Sequence, residues 1–300
     1  MSESIFTGEE YIKKAEELVS SIGIPSQPRI VAEINDEIKK PGADLKKISD
    51  IIARDVAMSA KLLKIANSPF FGLKEKTDSI QRALSLLGLK NFNNIILSSS
   101  LRDALGGHGP AAEKFWNHSM SAATISSQLA GRVGFAAVEQ AYIAGLFHDC
   151  GIPLLLKKYP DYVQIVDYAL GVVGTDSLSG TNRSIIGIED ERYSTHHCAI
   201  GFLVAKSWYL SSVVTQAILH HHYVNIDIHT DLNTRKVSAI LLVADYISSY
   251  LLFLGGSSCT VDSEEDWAKR HQKVLAELSL SVEDIKDLRE DFTEKMCRGD

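Results

Sequence analysis

Ala144-Gly145-Leu146-Phe147-His148-Asp149-Cys150-Gly151 closes an apolar run with a histidine and an aspartate side by side. Val138, Ala141 and Gly145 share a helical stripe with His148, so this imidazole is expected to point inward. The pattern recurs downstream and upstream. His118 lies on the stripe Ala122, Ile125, Leu129; His221 follows Val214 and Ile218; Asp245 interrupts Leu241-Leu242-Val243-Ala244-Asp245-Tyr246-Ile247. A bare carboxylate in such a low-dielectric setting is costly, and is normally paired or bound to a metal.

Around this stretch apolar residues recur at helical spacing almost everywhere, with no convincing alternation of period two. The expected fold class is all-α, in two helical lobes. A first helix starts at the capping box of Thr7 and Glu10 and ends at Gly23 before Pro25. Others follow near Pro28 to Lys39 and after the cap Asp44, and Gly88 separates two more. Gly106-Gly107-His108-Gly109-Pro110 is the expected lobe junction, giving an N-terminal lobe over 1–107, a core over 108–256 and C-terminal helices over 257–300. Helices are expected at about 111–130, 136–150, 153–170, 195–208, 212–222, 234–254, 264–278 and 282–296, with 171–190, rich in Gly, Ser and Thr, as a long loop.

Composition narrows the function classes. The 300 residues are 45% hydrophobic, enough for one large or two modest cores. The net charge of −7 has no basic stripe, which argues against nucleic acid and anionic membranes as partners. No apolar run reaches the length of a membrane span, and Cys150, Cys198, Cys259 and Cys297 form no C-x-x-C pair. A cytoplasmic protein with reduced thiols is expected.

In chain order the candidate site reads His118, His148-Asp149, His197, His221-His222 and Asp245, carried on five helices of the second lobe. A helical bundle can converge such groups on one point. Imidazoles mixed with carboxylates suit one or two ions of Fe, Mn, Zn, Ni or Co, and such ions lower the pKa of bound water to about 7. His196 and His220, turned about 100° from the inward positions, are expected as outer partners of the site or on the surface, and His108, His229 and His271 in solvent. Cys150 and Cys198 each follow a candidate ligand, but no base is arranged to make either a nucleophile.

The residues Asp55-Val56-Ala57-Met58-Ser59-Ala60-Lys61-Leu62-Leu63-Lys64-Ile65-Ala66-Asn67-Ser68 and Ser79 to Gly88, followed by Phe115-Trp116-Asn117-His118-Ser119, Ala144 to Gly151, His197-Cys198-Ala199-Ile200-Gly201 and Ala217 to His222, resemble the HDOD family over about 24–254. The resemblance implies an HD-like helical bundle as the second lobe and a role as a signalling output in bacteria. It carries a metal role onto His118, His148, Asp149 and Asp245, and the related bimetallic HD-GYP branch extends it to His197, His221 and His222. Departures from active relatives are specific. Ile152 stands where they often have lysine, Lys114 where HD-GYP enzymes can supply a glutamate, and Tyr223 follows His222 with no Gly-Tyr-Pro.

Two functions compete on this reading. The favoured one is a regulatory module with a retained metal site, binding a signalling protein or a small phosphorylated ligand. The other is an active metal-dependent phosphohydrolase acting on a nucleotide or other phosphoester, for which Lys157, Arg183 or Arg192 would have to supply the phosphate-binding charge. No residue is assigned as catalytic. The segment from Ile24 to Leu105, without clustered acids, bases or nucleophiles, is expected to be a scaffold or docking surface.

Overall fold

Helix caps set much of the local order in the N-terminal half. The Asp44 carboxylate accepts from the Lys46 amide and Asp55 from that of Met58, opening helices α3 (Leu45–Ile52) and α4 (Val56–Ala66). The structure, a computed structural model, describes residues 8–67, 76–106, 110–165, 184–254 and 263–298. Every regular element among them is helical, fifteen α-helices in all, as the apolar spacing requires.

Two units form. One holds α2 (Arg29–Ile38), α3, α4 and α5 (Ile80–Leu105), packed around Ile34, Ile48, Ile52, Leu62, Leu84 and Phe92. Gly88 breaks α5 with a φ of +73°, a backbone that only glycine adopts without strain. Asn67 clamps residue 77, its Oδ1 accepting from the Thr77 amide at 2.7 Å and its Nδ2 donating to the Thr77 carbonyl at 2.8 Å.

The other unit combines α1 (Gly8–Ile22) with α6 (Pro110–Arg132), α7 (Val138–Phe147), α8 (Ile152–Lys158), α9 (Ile185–Tyr193), α10 (His197–Ser207), α11 (Ser212–Leu219), α12 (Leu232–Leu254), α13 (Glu264–Arg270), α14 (Gln272–Leu278) and α15 (Val282–Arg298). Helix α1 therefore packs with the later helices, against α8 and α10, and the Trp208 indole N–H donates to the Pro25 carbonyl at 2.8 Å. Helix α12 runs through the middle. Val237, Ile240, Leu241, Val243, Ala244 and Ile247 bury nearly its whole circumference against α6, α7, α11 and α14, as an all-round apolar helix must. Helices α6 and α7 come close enough that a Cβ on Gly145 would lie 2.7 Å from the Ala122 carbonyl oxygen.

Three expectations are corrected. Part of the expected loop over 171–190 is helix α9, capped by Ser184, while 166–183 fall outside the described residues. The expected helix over 264–278 breaks at His271 into α13 and α14. The helix expected to reach residue 222 ends at Leu219, so His221 and His222 sit in the following turn. Among the described residues no helix is long and apolar enough to cross a membrane.

Candidate metal centre

Helix ends, more than helix faces, build the site. His148 follows the last residue of α7, and its Nδ1 lies 2.7 Å from the Gly145 carbonyl, one of the acceptors that a helix C-terminus leaves without an amide. His221 repeats the device after α11, with Nδ1 2.7 Å from the Ile218 carbonyl. In both rings Nδ1 must therefore carry the proton, which leaves an Nε2 lone pair facing inward.

His197, the first residue of α10, is oriented differently. Its Nδ1 lies 2.8 Å from Glu189 Oε2, while its backbone amide donates to the same oxygen at 3.1 Å. Glu189 is fully buried on α9, and the Tyr162 hydroxyl donates to its other oxygen. On α6, His118 Nδ1 lies 3.2 Å from Ser248 Oγ; the Ser248 hydroxyl donates to the Asp245 carbonyl, so its oxygen accepts from His118. All four imidazoles have Nδ1 committed, which leaves Nε2 as the atom a metal would take in place of a proton.

These Nε2 atoms converge. His118 and His148 approach at 3.1 Å, His197 and His221 at 3.3 Å, His197 and His222 at 3.1 Å. Lone pairs facing one another at such distances repel unless positive charge lies among them. The carboxylates complete the arrangement: Asp149 turns Oδ2 to His118 and His148 at 3.5 and 3.1 Å, and Oδ1 to His197 and His221 at 3.4 and 3.3 Å. Asp245 Oδ1 lies 3.1 Å from His118 Nε2 and 3.7 Å from His148 Nε2. Such separations match the edges of coordination polyhedra whose metal–donor bonds are about 2.0–2.2 Å. The residues fit a divalent metal, and Glu189, Ser248 and the two helix-end carbonyls are the outer partners that orient the ligands.

The acid–base behaviour reports the same demand for positive charge. Burial opposes the His148 cation, yet Asp149 and Asp245 outweigh it and push this imidazole up to about 10. For His221 burial is likewise outweighed, by Cys198 and Asp149, reaching about 9. Burial also opposes ionised Asp149 and Asp245, but the surrounding histidines hold both well below the usual carboxylate range. Burial and the neighbouring His221 push His222 down to about 3.

All seven sequence-expected ligands thus lie in or beside one cluster, on α6, α12 and the ends of α7, α10 and α11. The phosphate-binding candidates do not share it. Lys157 and Arg192 are exposed, and Arg183 falls outside the described residues. His229 and His271 are placed differently from expectation, while His196 has the place of an outer partner. His196 is buried and caps α10 through the Ala199 amide; His271 is buried, stacked on Trp267 at 4.1 Å; His229 is buried with Nε2 3.1 Å from Ser238 Oγ. His108 lies outside the described residues.

His229 yields a pH prediction separate from the cluster. Burial, then the nearby His220, push it down to about 4, below the ordinary 6.5. The unfolded chain takes up this proton first as pH falls, so stability present above about pH 6.5 is lost progressively down to about pH 4. With solvent screening allowed for, His229→Gln should lessen the stability lost between pH 7 and 5 by about 1 kcal/mol, read from urea unfolding at both pH values. Equal losses in both proteins would contradict this.

The model of the HDOD domain matches residues 24–224. An uncharacterized protein of Treponema pallidum is 26% identical over 200 residues, 66% of this chain and 37% of that protein. The cyclic di-GMP phosphodiesterase CdgJ of Vibrio cholerae is 24% identical over 157 residues, 50% of this chain and 36% of CdgJ. The chain therefore spans little more than a third of either relative. The crystal structure of an HDOD domain protein from Geobacter sulfurreducens shares the fold, with a TM-score of 0.66 and 23% identity over 95% of this chain and 97% of that one. By the family match across two-thirds of its length, with helical architecture and histidine–aspartate cluster in agreement, this chain belongs to the HDOD domain family.

Proposed function

We propose that the chain is a cytoplasmic signal-transduction output module built on a retained HD-type metal centre. His118, His148, Asp149 and Asp245 hold one side, His197, His221 and His222 the other, and Asp149 serves both. The observation that carries this reading is the set of inward Nε2 atoms, each fixed by a committed Nδ1 and all directed at the Asp149 carboxylate. When bound, Fe, Mn, Zn, Ni or Co supplies Lewis acidity and a water of lowered pKa. The chain itself orients the ligands and keeps the carboxylates ionised. A signalling protein or a small phosphorylated ligand is the proposed partner, with the unit of α2 to α5 as its docking scaffold.

Metal analysis of the purified full-length protein, with anomalous diffraction at the cluster, tests the centre directly. At least one equivalent of transition metal is expected. Asp245→Ala removes a carboxylate that offsets the cation, so metal content should fall by at least about half, with lower thermal stability. Unchanged content and stability in metal-loaded variant protein would sink the site as drawn.

The second reading, a phosphohydrolase, draws on the bridging position of Asp149 and on the activity named for the Vibrio relative. Against it, Ile152 is buried and apolar at the position of the lysine found in active relatives, and Lys157 and Arg192 face solvent. Loss of one preorganised charge costs about 10²- to 10³-fold in rate. No useful hydrolysis of cyclic di-GMP is therefore expected from protein loaded anaerobically with Mn(II) or Fe(II). Linear product formation that vanishes in His148→Ala would reverse the ranking of the two readings.

A further inference from the structure

We infer that Cys198 is a thiolate ligand on the His197 side of the centre, joining His197, His221, His222 and the shared Asp149 in a donor set that takes zinc or cobalt in preference to manganese or magnesium. The inference rests on the metal reading above and adds to it a donor and a metal class. Cys198 Sγ lies 3.4 Å from His197 Nε2. The ligand atoms of His197, Cys198, His221 and His222 lie within 4.8 Å of one another, with His197 Nε2 3.3 and 3.1 Å from those of His221 and His222. A four- or five-coordinate zinc ion with bonds of about 2.0–2.1 Å to nitrogen and about 2.3 Å to sulfur sets neighbouring donors roughly 3–3.8 Å apart, the range of these values.

A buried cysteine is ordinarily a small apolar filler. Cys150 supplies the internal comparison. It is equally buried, but its Sγ faces the Gly201 carbonyl at 3.7 Å and has only a packing role. Cys198 instead occupies the first turn of α10, where the positive end of the helix favours a thiolate, and its sulfur meets imidazole nitrogens. Coordination exchanges the Sγ proton for the metal, and the proton leaves to solvent. Sulfur is a soft donor. It separates this side from the imidazole and carboxylate set of His118, His148, Asp149 and Asp245, which also accepts harder ions.

The test uses full-length protein, stripped with chelator and reloaded with Co(II) under anaerobic conditions. A near-ultraviolet thiolate-to-cobalt absorption is expected beside the visible cobalt bands. Cys198→Ser should lose the first and keep the second, while protein carrying Cys150→Ala, Cys259→Ala and Cys297→Ala together keeps both. X-ray absorption on the zinc-loaded native protein, which depends on no variant folding, should show a sulfur neighbour at about 2.3 Å. Zinc retention in Cys198→Ser should weaken by more than the roughly 10- to 100-fold that loss of an outer partner costs. Cobalt or zinc bound without any sulfur signal would overturn the thiolate ligand and leave the metal centre standing. Failure to bind either ion would remove both.

Discussion

Asp149→Asn is expected to empty both sides of the cluster at once. Among the described residues its carboxylate is the one group whose two oxygens address different pairs of histidines, His118 and His148 through Oδ2, His197 and His221 through Oδ1. Asparagine keeps the shape but removes the charge and turns an N–H₂ group toward one pair. The residue is also buried, so the histidine cations it neutralises are left in a low-dielectric interior. Breaking a buried ion pair from one side costs about 3–5 kcal/mol. Mass spectrometry under native conditions should find the variant without metal, and denaturant unfolding should show a loss of that size. An Asp149→Asn protein that keeps its metal and stability would refute the bridging role.

Gly151→Ala should do comparable damage without touching a ligand. A Cβ at Gly151 would lie 2.1 Å from the His197 carbonyl oxygen and 2.9 Å from His197 Cα, all backbone, so no side chain can swing aside. The start of α8 must then move from the start of α10, widening the 3.4 Å separation of Asp149 and His197. Overpacking commonly costs about 1–3 kcal/mol, and a clash between two backbones belongs at the upper end or beyond. Helix content by circular dichroism should persist while metal occupancy on the His197 side collapses. Gly187→Ala is the control: its nearest obstacle is Ser184 Oγ at 3.4 Å, and it should be close to neutral. Equal behaviour of the two variants would disprove this account of Gly151.

The helical architecture and four of the candidate ligands, His118, His148, His221 and Asp245, were legible because each interrupts an apolar stripe where an uncompensated polar group would be costly; Asp149, His197 and His222 joined them through chain order and the family resemblance. What escaped the sequence has particular reasons. Glu189 stands in the charged run Glu189-Asp190-Glu191-Arg192, where nothing separates a buried carboxylate from its solvated neighbours. The cap Ser184 with Ile185 and Ile188 on one face was the available signal, hidden by the polar stretch before it. His196 keeps the outer place allowed for it, but as the cap just outside α10 instead of on a helical face. His221 and His222 likewise lie just beyond a helix. Adjacent residues on a continuous helix diverge by about 100°, and the end of α11 at Leu219 frees both to approach His197. The burial of His229 and His271 follows from partners distant in sequence or from aromatic stacking, which periodicity does not encode.

The carbonyls that anchor His148 and His221 belong to the C-terminal ends of α7 and α11, and the negative ends of both helix dipoles are therefore directed at the cluster. Asp149 and Asp245 are ionised as well, and the raised His148 and His221 imidazoles balance them with protons that an entering metal must displace. Metal entry thus exchanges protons for a divalent charge, and a phosphorylated ligand of the centre would be held by that charge. Such a ligand should dissociate on chelation, whereas the metal has no need of the ligand to stay.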